Sequence, residues 1–520
     1  MLILIPILLL FAAALTLVIL RLTRPEFRFT WVIAVAITFL AWITVFLWQT
    51  QIPLTFTLLP WRPANLFSTP PSFSADGLSW PYAVSLVTLA LAILLTASAR
   101  EDFSSSFSWA GSITLCGLGL LAATASNPLT LAMVWAALDL TELITMLRTV
   151  NGREASERVV VAFSTRAIGI ILLILADVVS SGAGKTTEFI SMPPQAGLLL
   201  LVAAGLRLGI LPLHLPYSSE TSLRRGLGTA LRLVTASSSL VLLARIPTAS
   251  LASLLTPFLL VLACIAALYG GWMWMRAPDE LAGRPYWLIG IGALAVASAL
   301  RGDQAGATAW GVALVLAGGA LFLASVQQVW LNRASLIGAW ALSSLPFSLT
   351  AVAWQNDVSG LAIFLPFLLI AQALIIVGFI RHALRPSTRA SLDSQPAWAR
   401  SVYPAGIGLM LFVQLLLGLW GWDGAAQIGA WMAGLIASFL TLGLLWAVPR
   451  FPILNPARAH WVQPASASRL DQLYQNLWSV YLWFARISQT ISTTLEGEGG
   501  IMWALLFLIL FVALIVQRKP

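Results

Sequence analysis

The sequence predicts an all-α fold: a polytopic membrane protein of about sixteen spanning helices, some of them broken, with a C-terminal amphipathic helix lying along a surface. Three observations carry that prediction. First, 59% of the 520 residues are hydrophobic and only 9% are charged, with a mean hydropathy of +0.89. That balance belongs to membrane-embedded chains and not to globular domains. Second, the apolar residues gather into runs of the roughly 20 needed to cross a bilayer. They begin near residues 2, 30, 80, 108, 129, 159, 196, 226, 251, 285, 306, 334, 360, 403, 428 and 501. Third, the runs are continuous and do not alternate, which argues against a barrel and leaves helices as the way to satisfy every backbone group in lipid.

The net charge of +9 invites a nucleic-acid partner, but its distribution refuses one. With the N-terminus placed outside, most of the 29 basic residues fall in inside loops, from Arg21, Arg24 and Arg28 to Arg381, Arg385 and Arg389. This is the positive-inside bias of a membrane protein, and no nucleic acid is expected. Cys116 and Cys264 fall in the middle of runs and read as small buried hydrophobes. Nothing in the chain offers convincing ligands for a haem, flavin, iron–sulfur cluster or metal ion, so no cofactor and no catalytic residue is expected.

Taken in order, the chain divides into N-terminal helices (1–125), a first, charged half (126–250), a second, apolar half (251–380), extra helices and loops (381–465), an amphipathic lateral helix (466–498) and a final span (499–520). The first run lacks a basic flank and a small-residue cleavage site, and is read as a retained helix. A proline-rich loop leads to FSADGLSW, where Asp76 is placed to cap the third helix and Trp80 to anchor it at the interface. Only Ser126, Asn127 and Pro128 separate the fourth and fifth runs, so these two must pack antiparallel.

The charges inside the membrane concentrate in the fifth to eighth runs. Asp139 and Glu142, three residues apart, share one helix face. Arg166 lies at similar depth on the sixth run, within geometric reach of Asp139, while Arg207 and Arg232 fall in the seventh and eighth. Buried charges are costly in a bilayer and mark either a transport path or a static ion-pair network. Pro212 and Pro216 interrupt the seventh run around His214, predicting a broken helix; His214 is either a titratable cavity residue or a helix-end residue at the inner surface. GAGKTT at 182–187 lacks the first glycine of a phosphate-binding loop, since Val179 stands there, and is set aside. Beyond Leu251 the runs are far less polar: that from Ala334 to Trp354 carries Pro346 and serines but no charge inside the span. From Leu470 to Leu495 apolar residues recur at three and four, the pattern of an amphipathic helix, before a last span from Ile501 to Val516.

Together these segments resemble the antiporter-like, proton-translocating membrane subunits shared by respiratory complex I, Mrp-type antiporters and membrane-bound hydrogenases. FSADGLSW resembles the family's segment before its third helix. In VWAALDLTELITML Asp139 takes the position of the family's acid, and in GLRLGILPLHLPY Arg207 takes that of its lysine, with Pro212 and His214 at its proline and histidine. The family's further titratable positions on helices eight, broken eleven and twelve fall at or near Ser237, Gly319 and Trp354. The chain has two lysines, Lys185 and Lys519, neither of them in a span, and arginine does not deprotonate in proteins. The resemblance therefore implies a membrane-arm subunit of a complex I-like NADH:quinone oxidoreductase, itself non-catalytic, with proton translocation lost or reduced. It would be bracketed by other membrane subunits and lipids in the bacterial plasma membrane, with both termini outside. The alternative is a functional proton-conducting subunit of complex I or of an Mrp- or hydrogenase-type complex, its path running through Asp139, Glu142 and His214 with water threaded past Ser237 to Ser239.

Overall fold

The computed structural model describes residues 2–450 apart from 28, 59–69, 100–104, 150–152, 184–187, 217–224, 248–253, 327, 356–360, 386–390, 423–424, 426–427 and 449, together with Ser479. The chain falls into two compact units, Met1–Leu454 and Asn455–Pro520. The amphipathic stretch from Leu470 to Leu495 and the run from Ile501 lie outside the described residues, Ser479 excepted.

The first unit is helical almost throughout. Its helices are α1 (Leu4–Thr23), α2 (Thr30–Trp48), α3 (Ser79–Thr96), α4 (Ser106–Thr124), α5 (Pro128–Thr149), α6 (Arg153–Gly182), α7 (Pro194–Arg207), α8 (Arg225–Ala244), α9 (Thr256–Arg276), α10 (Arg284–Leu300), α11 (Gln304–Leu323), α12 (Val329–Ala334), α13 (Leu336–Ala341), α14 (Leu365–Leu384), α15 (Ala397–Trp420) and α16 (Trp431–Ala447). Local signals open several of them. Asp76 Oδ1 accepts from the N–H groups of Leu78 and Ser79 at the head of α3. Asn127 Oδ1 accepts from Thr130 N at the head of α5, and proline occupies the first turn of α7, α9, α10 and α14, where its missing N–H costs nothing.

Among the described residues, eleven helices are long and apolar enough to cross a membrane, and three more, in α7, α10 and α16, are apolar but shorter. This is a multi-pass membrane protein. Helices α3, α8 and α11 form its interior, buried over nearly their whole length, with α11 packed among α3, α8, α10 and α15. The side chains of α1, α2 and α6 are largely exposed along one face, as lipid-facing or partner-facing helices are.

Four expectations change. Between the second and third helices, LTFT and SFSA pair as an antiparallel ribbon, β1 (Leu54–Thr57) and β2 (Ser72–Ala75), with Leu54 opposite Ala75 and Thr57 opposite Ser72. Trp80 is not an interfacial anchor: it is 2% exposed and its indole donates to the Val45 carbonyl of α2. The run from Ala334 to Trp354 is not one span. After α13 the backbone turns through Leu342–Thr350, with Ser344 and Phe347 at positive φ, and ends in a 3-10 turn at Ala351–Trp354. Pro346 and the serines around it compete with helical hydrogen bonding, which the average hydropathy of the run conceals. Finally α11, the segment of Gly319, is continuous; the break falls in the following element. The seventh run does break. α7 stops at Arg207, and Gly209 at φ +75° turns the chain back so that His214 N–H reaches the Gly209 carbonyl. Only glycine fits there, since a Cβ would lie 2.4 Å from the His214 carbonyl oxygen.

Candidate functional site: a buried charge cluster and two broken elements

Helix α5 places Asp139 and Glu142 on one face, and α6, α7 and α8 each present an arginine to it. Arg207, the last residue of α7, grips Asp139 with both terminal nitrogens, at 2.5 Å to Oδ2 and 2.8 Å to Oδ1. Its guanidinium lies 4.1 Å from the centre of the Trp135 ring, one turn earlier on α5. It also donates to the Arg166 carbonyl at 3.3 Å and, through Nε, to Ser239 Oγ at 3.4 Å. Arg166 lies between the two acids, with Nη1 2.5 Å from Glu142 Oε2 and Nε 3.6 Å from Asp139 Oδ1. Arg232 pairs with the other oxygen of Glu142, and its second nitrogen lies 3.6 Å from Met146 Sδ. All five charged residues are 6% exposed or less.

The arrangement has a physical logic. A fork-shaped guanidinium matches a carboxylate in two parallel hydrogen bonds, and in a dry interior that geometry offsets the cost of removing both ions from water. The position of Arg207 at a helix C-terminus adds favourable interaction with the α7 dipole. Its aliphatic stem runs against Gly169 of α6, where a Cβ would come within 2.8 Å of Arg207 Cγ. Gly169 thus makes room for the arginine, a role that its place in an apolar run does not betray.

Of the other residues singled out in the sequence, His214 stands apart. It is partly exposed, and its Nδ1 lies 2.8 Å from the Pro212 carbonyl, which it can only reach as a donor. Ser237 is buried on α8, but its hydroxyl donates to the Val234 carbonyl of its own helix at 2.8 Å.

The second broken element is held by neutral groups. Gln372 of α14, fully buried, accepts from the Trp354 indole at 3.1 Å and donates to the Leu342 carbonyl at 2.8 Å and Ser344 Oγ at 2.9 Å. Thr350 Oγ1 accepts from Ser344 N–H at 3.0 Å and donates to the Ala341 carbonyl at 2.9 Å, closing the turn. Sequence reasoning missed Gln372; the available signal was a lone amide in an otherwise apolar span. At the adjoining α10–α11 turn lies Asp303, which caps α11 by accepting from Gly306 N–H at 2.7 Å. Burial pushes its carboxyl up to about 6. Beside it the Arg301 guanidinium lies 5.3 Å from the centre of the Trp354 ring. Among the described residues no group of three His, Cys, Asp or Glu side chains gathers as metal ligands would.

No protein-family model matches the sequence, and no curated protein does. Solved structures match its fold. The whole chain (100%) superposes on a chain in the structure of the Mrp complex from Dietzia sp. DQ12-45-1b with a TM-score of 0.70 and 15% identity, spanning 63% of that longer chain. It covers all of a chain of the membrane-bound sulfane sulfur reductase, an archaeal respiratory membrane complex, with 99% of its own length, a TM-score of 0.64 and 14% identity. Against respiratory complex I from Thermus thermophilus with bound aureothin, 80% of the chain matches 98% of a chain there, at a TM-score of 0.58 and 17% identity. At such identities the likeness is one of fold.

Proposed function

We propose that the chain is an antiporter-like membrane subunit of a complex I-like assembly, with proton translocation lost or reduced, and that its work is structural. The fold it shares with chains of three multi-subunit membrane complexes supports the first part. One observation carries the second: among the described residues, the buried side chain that holds each break, Arg207 at the first and Gln372 at the second, is not one that cycles a proton. At the first, Arg207 is held by both oxygens of Asp139, and a guanidinium keeps its proton. At the second, the buried partner is the amide of Gln372. The electrostatic cluster then serves as a lock between α5, α6, α7 and α8 that fixes one arrangement of these helices.

Other membrane subunits and lipids are the partners of this reading, the bacterial plasma membrane its place, with the N-terminus outside. An NADH:quinone oxidoreductase is the parent complex that the reading favours, the redox chemistry belonging to other subunits. The brace across neighbours would be Leu470–Leu495. A working path through Asp139, Glu142 and His214 finds less support, because the hydroxyl of Ser237 turns to its own helix and His214 engages Pro212.

Reconstitution of the full-length chain into proteoliposomes tests the reading directly. Under an imposed pH gradient, proton flux should equal that of protein-free vesicles. Flux that Asp139→Asn abolishes would overturn the structural role. Isolation from its native membrane should yield the chain within a larger complex, and a lone monomer would count against the subunit assignment.

A further inference from the structure

A cavity of about 20 Å³ adjoins the charge cluster, lined in part by Arg166, Arg207, Arg232, Thr235, Ala236 and Ser239. A cavity needs roughly 10–15 Å³ to admit one water, so this one has room for a single occupant of water size or slightly larger. Its wall is chemically one-sided. Three arginines line it, yet neither Asp139 nor Glu142 does. The terminal nitrogens of Arg207 are turned to Asp139, whereas its Nε edge faces Ser239 on the cavity wall. The hydroxyl of Thr235 donates to the Leu231 carbonyl of its own helix, which leaves the arginines to set the polarity of the space. Three guanidiniums against the two carboxylates of Asp139 and Glu142 leave the cluster with one excess positive charge, and in a low-dielectric interior that excess favours a negative occupant over a neutral one.

We propose that this cavity is a binding site for one small monovalent anion of halide size, seated among Arg166, Arg207 and Arg232. The volume excludes sulfate, phosphate and organic carboxylates, and the acid-free wall excludes cations. An anion there would hold the α6, α7 and α8 arginines together from a face that the carboxylates of α5 do not line. It would complete the lock as a fifth element, whether or not protons move through the chain.

Equilibrium binding of radiolabelled chloride to the full-length chain in lipid nanodiscs, in gluconate buffer of constant ionic strength, tests the site without any proton flux. One saturable site per chain is expected, displaced by bromide and untouched by sulfate. Ala236→Val adds methyl groups to the cavity wall and should weaken chloride at least about tenfold. Its unfolding temperature in gluconate should stay at that of the wild type. As a second readout, the unfolding temperature of the wild-type chain should rise saturably with chloride or bromide and not with sulfate at matched ionic strength. Absence of saturable chloride binding, undiminished binding in folded Ala236→Val, or an equal rise with sulfate would each overturn the proposal and leave only water in the cavity.

Discussion

Between α7 and α8 the chain turns at Leu208–Pro216 beside an arginine gripped by a carboxylate, whereas between α13 and Trp354 it turns beside a glutamine. Both breaks join a buried anchor to a partly exposed turn, with Leu215 at the first and Phe347 at the second open on the surface, and both free backbone groups that a helix would have satisfied. The first is organised by charge: five ionised side chains from four helices, all nearly inaccessible. The second is organised by amide, indole and hydroxyl groups, and even the acid beside it, Asp303, is shifted towards its neutral form. The difference teaches that the broken-helix geometry does not itself require titratable groups. At the first break the N–H groups of Ile210, Leu211 and His214 return to the Gly205 and Gly209 carbonyls, whereas at the second the side chains of Gln372 and Thr350 meet the Leu342 and Ala341 carbonyls.

The comparison can be broken most sharply at Asp139. Asp139→Ala leaves the Arg207 guanidinium without its bidentate partner, and loss of one member of a buried pair costs about 3–5 kcal/mol. Chemical unfolding in nanodiscs should show that loss, while Asp139→Asn combined with Arg207→Gln should cost much less than the two single changes together. Additive losses would mean that the pair is not coupled and that the first break is not held by charge.

Next comes Asp303. Its unfolded carboxyl titrates near 3.8 and the folded one near 6. Between those values the folded state binds more proton, so stability is greatest below about pH 4 and falls as pH rises through about 6. Asp303→Asn keeps an acceptor for Gly306 N–H and removes the buried charge. Relative to the wild type it should therefore gain stability from pH 4 to pH 7, by about 2–3 kcal/mol. A variant whose stability tracks the wild type across that range would show that Asp303 carries its charge at no cost, and that the second region is less neutral than its geometry indicates.

Gln372→Leu strips partners from the Trp354 indole, the Leu342 carbonyl and Ser344 Oγ. Ser344 Oγ keeps Thr350 Oγ1 at 3.2 Å, and the two groups left unsatisfied cost about 1–3 kcal/mol each, which puts the loss beside that of Asp139→Ala. A loss under about 1 kcal/mol would show that the second break is not held by the Gln372 amide. The smallest effect belongs to Ser237→Ala, since its hydroxyl is satisfied within α8; the change should stay within about 0.5 kcal/mol in stability. A marked change in proton flux with that variant would restore Ser237 to a transport path.

Much of the fold was legible because its causes are local or periodic. Asp76 before α3, Asn127 and Pro128 before α5, and the prolines after Arg207 signal their structural consequences within a few residues. Trp80 misled for the opposite reason. A tryptophan at a helix start looks interfacial until α2 covers it and supplies the Val45 carbonyl. The run from Ala334 to Trp354 misled because hydropathy averages over a window and does not register that Ser344 and Phe347 sit at positive φ, or that a glutamine later in the chain will satisfy the turn.

The sequence by itself determined that this chain is a helical membrane protein, that its intramembrane charges gather between residues 139 and 232, and that Asp139 and Glu142 share a face. These follow from composition and from the 3.6-residue repeat of one helix. Only the tertiary structure decided that Arg207 takes Asp139 in two hydrogen bonds, that Arg166 and Arg232 divide the oxygens of Glu142, and that Gly169 gives the Arg207 stem its passage. Such pairing depends on how neighbouring helices are rotated and how closely they approach. Those quantities are set by side chains far apart in the chain, and no single segment encodes them.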